Sequence, residues 1–83
     1  MRVLYFAWVK EKAGIAAEEI DPPAEVATIA ELIDWLKARG PEFANALARS
    51  EVIRAAIDQS HVRHDARIKG AREIAFFPPV TGG

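Results

Sequence analysis

Thr28 and Glu31 stand three residues apart at the head of a run in which Ile29, Leu32, Ile33 and Leu36 recur at the spacing of one helix face. The pair matches a capping box, in which each side chain satisfies the other residue's free backbone N–H. The apolar positions follow the i, i+3, i+4, i+7 pattern of a single buried stripe. Glu31 and Asp34 come early and Lys37 and Arg39 late, as the helix dipole favours. Gly40 and Pro41 end the run. The spacing therefore predicts one principal helix over residues 28–39. Such a helix has to bury its stripe, and in a chain of 83 residues the surface that can receive it is a sheet built by the remaining segments.

Those segments read mostly as strands. Residues 2–9 are rich in β-branched and aromatic types and lack Gly and Pro. Val3, Tyr5, Ala7 and Val9 would share one face and Leu4, Phe6 and Trp8 the other, as in a central strand covered on both sides. Residues 10–14 fit one helical turn ending at Gly14. Residues 17–21 form a second, short strand closed by Pro22 and Pro23, close enough to the first for an antiparallel hairpin. Pro41 suits the first turn of a second short helix reaching about residue 48, with Phe43 and Leu47 one turn apart. Residues 52–58, 67–69 and 72–77 complete the strands, the last two around a turn at Gly70. The last strand is expected parallel to the first, because the intervening helix permits a crossover. The order gives an α+β chain of β-grasp type, a mixed sheet with one principal helix packed on one face. The domain spans residues 1–77, and residues 78–83 form an extended tail.

Composition removes several function classes. The chain is short enough for a single domain. A formal net charge of −1 offers no basic excess with which to neutralise phosphates, so no nucleic-acid partner is expected. There is no cysteine, hence no disulfide, thiolate metal site or cysteine nucleophile. No stretch approaches the roughly 20 apolar residues that span a bilayer, and no secretion signal is visible, so the expected location is cytoplasmic and free of the membrane.

Side-chain constellations are scarce. His61 and His64 are three apart, a spacing that joins two imidazoles on a helix, but here they fall between expected strands and read as solvated turn residues, so no metal is expected. Glu18, Glu19 and Asp21 alternate faces of a strand and read as a solvated edge. Arg63, Arg67, Lys69 and Arg72 form a locally basic segment, either a solvated face or a docking patch for an acidic partner near the tail. Trp35 reads as core; Trp8, at the end of the first strand, is less constrained.

The tail is the strongest chemical lead. It reads Phe76-Phe77-Pro78-Pro79-Val80-Thr81-Gly82-Gly83. Pro78 and Pro79 fix φ and lack N–H donors, which ends sheet pairing and favours a stiff exit from the domain. Gly82 and Gly83 lack Cβ atoms and suit a narrow channel. Gly83 would present a carboxylate with no side chain around it. A carboxylate is a poor electrophile until activated, most economically as a mixed anhydride with AMP, and no Gly-rich phosphate loop exists here to bind ATP. A partner would supply that step. Attack by a lysine amine would then make the protein a modifier; attack by sulfur would make it a carrier with a terminal thiocarboxylate. Phe76 and Phe77 at the root of the tail are candidates for the partner interface, since neighbours on a strand face opposite ways.

This tail closely resembles the C-terminus of the molybdopterin synthase small subunits, a family of ubiquitin-like sulfur carriers. The likeness extends through Glu73-Ile74-Ala75, Val3-Leu4-Tyr5-Phe6-Ala7 and Ala56-Ile57-Asp58-Gln59. Two departures concern turns: the family commonly has Asn where Asp58 stands, and Asp-Gly-Asp-Glu where this chain has Gly70-Ala71-Arg72-Glu73. The resemblance implies that an ATP-dependent activating enzyme adenylates Gly83 and that a sulfur-relay protein converts it to a thiocarboxylate. Residues 78–82, Pro78, Pro79, Val80, Thr81 and Gly82, would then thread into partner active sites. Sulfur would pass to cyclic pyranopterin monophosphate in the large subunit, within an assembly of two large and two small subunits. The carrier would bind no cofactor itself. Carriers for tungsten-pterin, thiamine or cysteine synthesis, and lysine-linked modifiers, are the alternatives.

Overall fold

The computed structural model describes residues 1–79. The elements run β1 (Arg2–Tyr5), α1 (Ala7–Ala13), β2 (Ala17–Glu19), α2 (Ile29–Lys37), α3 (Pro41–Ala46), a 3-10 turn (Ser50–Val52), β3 (Arg54–Ile57), β4 (Ser60–Val62) and β5 (Glu73–Phe77). Among the described residues five strands make one mixed sheet in the order β2-β1-β5-β3-β4. β1 pairs antiparallel with β2 and parallel with β5, with Val3 opposite Ile74 and Tyr5 opposite Phe76. β5 pairs antiparallel with β3, and β3 with β4. The fold is a β-grasp.

The capping box forms as its spacing predicts. Glu31 N–H donates to Thr28 Oγ1 at 3.2 Å, and Thr28 N–H donates to Glu31 Oε1 at 3.1 Å. Ile29, Leu32, Ile33 and Leu36 are all buried. They join Val3, Tyr5, Val9, Leu47, Ile74 and Phe76 in one core. Trp35 packs against that core and is half-buried, with the Arg39 guanidinium 5.5 Å from its ring centre. α2 ends earlier than expected, at Lys37, and α3 starts with Pro41 at its first turn and ends at Ala46.

Three expectations need correction. The first strand stops at Tyr5, and residues 7–9 belong to α1. The run from Val3 to Val9 is apolar throughout, so its periodicity does not separate strand from helix. The chain turns at Ala7, whose φ of +54° is unusual for a residue with a Cβ. Beyond that corner, Val9 and Ala13, four apart, are buried on one helix face. α1 then ends at Gly14 in the left-handed conformation, with its N–H returned to the Lys10 carbonyl.

The fourth strand is Ser60–Val62 and not residues 67–69. Asp58 and Gln59, both at positive φ, make the two-residue turn that folds β4 back on β3, with Ile57 opposite Ser60. Asp58 is thus a turn residue, and its Oδ1 accepts from the N–H groups of Arg72 and Glu73. Residues 67–69 lie against the start of α2. Arg67 bridges Thr28, and Ile68 N–H donates to the Ala27 carbonyl. The third strand is likewise shorter than residues 52–58, because Ser50–Val52 forms the 3-10 turn. No helix among the described residues is long and apolar enough to cross a membrane.

Leu36 is fully buried in the stripe of α2. Leu36→Ala is expected to destabilise the fold by about 2–5 kcal/mol in denaturant unfolding. A loss below about 0.5 kcal/mol, the range of surface substitutions, would place Leu36 outside the core.

Candidate functional site

The helices cover one face of the sheet and leave the other open. The core face carries Val3, Tyr5, Ala55, Ile74 and Phe76. The alternate positions are Arg2 and Leu4 on β1, Glu73, Ala75 and Phe77 on β5, and Arg54 and Ala56 on β3, with His61 opposite Ala56 on β4. Strand alternation thus separates the two phenylalanines at the root of the tail. Phe76 is fully buried, its ring stacked 6.3 Å from that of Tyr5. Phe77 is half-buried on the open face, its ring 5.2 Å from His61. Of the two interface candidates, Phe76 is therefore a core residue, and Phe77 is the one presented outward.

Beside Phe77 the first strand is followed by Phe6, an aromatic ring that is 46% exposed. Phe6 N–H donates to the Phe76 carbonyl at 3.1 Å, so the parallel ladder holds Phe6 at the point where the tail departs. Pro78 and Pro79 follow directly and are half-buried. Val80, Thr81, Gly82 and Gly83 lie outside the described residues, and so does their expected threading conformation.

His61 and His64 are placed differently from the expected pair of turn residues. His61 is an exposed strand residue on the open face. His64 is half-buried, with Nε2 2.8 Å from the Ile53 carbonyl, which fixes the approach to β3. Among the described residues no cluster of metal-ligating side chains occurs. The basic segment does not form one patch. Arg63 lies beside Arg54 around a shallow depression of about 210 Å³. Arg67 and Lys69 line a larger apolar cleft with Met1, Ile20, Pro22 and Val26, at the opposite end of β1 and β5 from the tail.

Glu18 was expected on a solvated edge with Glu19 and Asp21. Instead its side chain points to the core face, and its Oε2 accepts from the Tyr5 hydroxyl at 2.7 Å and from Arg39 Nη1 at 2.7 Å. The hairpin register sets Glu18 opposite Val3, diagonal to Tyr5, and that register is the signal by which it could have been found. Burial, reinforced by the Glu18 carboxylate, pushes the Tyr5 phenol well above its ordinary range. Burial also acts to raise Glu18, but the hydrogen bonds from Arg39 and Tyr5 outweigh it and hold the carboxyl below its ordinary range. Arg39 also lies 4.9 Å from the Phe43 ring centre, so this junction ties β1, β2, α2 and α3 together beneath the sheet.

Comparison with known proteins decides the family. The ThiS family profile matches residues 3–83. The chain belongs to the ThiS family. Its match includes the whole tail as well as the folded domain. The molybdopterin synthase sulfur carrier subunit of Escherichia coli (strain K12) is 37% identical over 83 residues, covering 100% of this chain and 99% of that protein. The protein of the same name from Haemophilus influenzae is 35% identical over 83 residues, again covering 100% and 99%. Among solved structures, SAMP1 from Haloferax volcanii superposes with a TM-score of 0.74 at 25% identity, covering 100% of this chain and 98% of that one.

The two phenylalanines give a direct test of this geometry. Phe76→Ala is expected to cost about 3–5 kcal/mol of unfolding free energy, and Phe77→Ala much less. Equal losses would contradict the division between core and open face. The half-buried junction gives a second test. Glu18→Ala removes the acceptor of the Tyr5 hydroxyl and is expected to cost about 1–3 kcal/mol. Its pH dependence has two limbs. Glu18 is depressed in the fold, so its contribution is present above the ordinary carboxylate range and is lost as pH falls through its lowered value. Tyr5 is raised, so above about pH 10 the unfolded chain releases a proton that the fold retains, and stability falls. Tyr5→Phe should flatten that alkaline limb in thermal unfolding measured across pH.

Proposed function

We propose that this protein is the sulfur carrier subunit of a molybdopterin synthase, working through a thiocarboxylate at Gly83. The observation that carries the reading is the root of the tail: β5, held between β1 and β3, runs directly into Pro78 and Pro79, with Phe6 and Phe77 facing outward beside the exit. The full-length likeness to proteins named molybdopterin synthase sulfur carrier subunits supports the choice of pathway.

In this reading the folded domain is a handle and the chemistry belongs to the terminus. The Gly83 carboxylate attacks the α-phosphate of ATP in an activating enzyme, forming an acyl adenylate and releasing pyrophosphate. Hydrosulfide delivered by a sulfur-relay protein attacks the activated carbonyl, AMP leaves with the bonding electrons, and loss of the sulfur-bound proton leaves a thiocarboxylate. Without any cysteine in the chain, the sulfur can be carried only at that terminus. Pro78, Pro79, Val80, Thr81 and Gly82 pass the thiocarboxylate into the large subunit. There its sulfur attacks a carbon of cyclic pyranopterin monophosphate, an oxygen leaving group departs from that carbon, and water hydrolyses the resulting thioester, leaving the sulfur on the pterin and regenerating the carboxylate. The residues that act on the pterin belong to the large subunit. The carrier holds no cofactor, ATP is consumed by the activating partner, and a cytoplasmic assembly of two carriers with two large subunits fits this division of labour.

Reconstitution with an adenylating enzyme, ATP, a sulfur source and the large subunit tests the reading. Intact-mass measurement should show one oxygen replaced by sulfur. Deleting Gly83, or placing a bulky side chain at Gly82, should abolish pterin sulfuration while thermal unfolding stays unchanged. Sulfuration by the variant lacking Gly83 would overturn the proposal. Lysine-linked adducts without thiocarboxylate would make the protein a modifier, and sulfur delivery only to a thiamine, cysteine or tungsten-pterin precursor would move it to another pathway.

A further inference from the structure

Resting on the sulfur-carrier reading, we infer that Arg54 and Arg63, on the β3–β4 side of Phe77 on the open sheet face, select a partner surface in which an apolar pocket is bordered by carboxylates. The register places Arg54 directly opposite Phe77. Arg63 follows β4 by one residue. It shares the strand parity of His61, and it lines the same shallow depression as Arg54. Both arginines are exposed, and among the described residues neither makes an ion pair. The nearest acid in that depression, Glu51, is engaged by Arg49 at 3.4 Å.

The charges on this face are sorted along the strands. At the end far from the tail, Arg2 is bracketed by Glu19 and Glu73, so positive and negative charge are mixed there. At the tail end the strand positions on the β3–β4 side of Phe77 carry Arg54 and His61, the latter's ring 5.2 Å from that of Phe77, with no carboxylate among them. Between the two ends lie the small or apolar residues Leu4, Ala75 and Ala56, which let a partner approach the sheet closely. The face is thus an aromatic anchor with a cationic border on one side. A partner that buries Phe77 has to place something against that border, and carboxylates are the groups that gain from it. Border charges of this kind act chiefly on encounter rate and on salt dependence. Arg67 and Lys69 sit at the other pole and serve as an internal control.

The experiment measures binding of the full-length carrier to the molybdopterin synthase large subunit from the same organism, by stopped-flow and calorimetry, across a series of sodium chloride concentrations. Wild-type association should slow as salt rises. Arg54→Glu combined with Arg63→Glu should weaken binding by about tenfold or more, mainly through the association rate, and flatten the salt dependence. Lys69→Glu should leave both unchanged. Thermal unfolding establishes that the variants fold, and Arg54→Ala with Arg63→Ala, a milder change, should show a smaller loss in the same direction. Wild-type affinity and salt dependence in the double reversal would overturn this inference and leave the sulfur-carrier reading intact. Failure of the wild-type carrier to bind the large subunit would overturn its assignment to molybdopterin synthase, and the inference with it.

Discussion

The parallel ladder between β1 and β5 joins the beginning of the chain to its end, and the rest of the molecule depends on it. Arg2 to Tyr5 pair in register with Glu73 to Phe76. Closing that ladder brings together segments about 70 residues apart, which costs loop-closure entropy that only a buried core can offset. The core does so from one side: Val3, Tyr5, Ile74 and Phe76 face the stripe of α2. Because the ladder is central, with β2 on one flank and β3 and β4 on the other, the last strand is fixed laterally along its length. The tail is therefore anchored at a defined point and direction, beside Phe6, by the same interactions that stabilise the domain.

One-sided coverage of the sheet has a second consequence. Side chains alternate across a strand, so every residue that faces the helices has neighbours facing away from them. The pair Phe76 and Phe77 is divided this way, one ring filling the core and the next left on the open face. The ring that fills the core and the ring left on the open face thus belong to adjacent residues without competing for the same surface. An alanine row, Ala75 and Ala56, keeps the open face low between Leu4 and His61. Trp35 and Trp8, the largest side chains in the chain, stay at the margins of the core, where Arg39 and Lys12 lie over their rings.

The Tyr5–Glu18–Arg39 junction solves a local problem. Tyr5 occupies the core face of β1, and its hydroxyl needs a partner when buried. Glu18 supplies the acceptor and Arg39 compensates its charge, so the polar end of an otherwise apolar ring is satisfied where β2 meets the end of α2. Among the described residues no buried side-chain polar atom lacks a partner.

By itself the sequence determined the local elements whose signals are complete within a few residues. The capping box and stripe of α2 needed only Thr28, Glu31 and four apolar positions; the end of α1 needed Gly14, and the start of α3 needed Pro41. The order of elements implied the crossover and hence the parallel pairing, and the eight-residue tail carried its family on its own. Tertiary structure decided what local signals leave degenerate. An uninterrupted apolar run does not say where strand gives way to helix, so the boundary at Tyr5 and Phe6 was settled by which face could reach the core. Ser60, His61 and Val62 have no strand pattern strong enough to compete with residues 67–69, and it was the turn at Asp58 and Gln59 that aligned them with β3. Glu18 and Arg39 are 21 residues apart, and only the hairpin register and the packing of α2 bring them together. The open face around Phe77, assembled from β1, β3, β4 and β5, exists only once those strands are side by side, because a surface built from distant segments has no local signature to read.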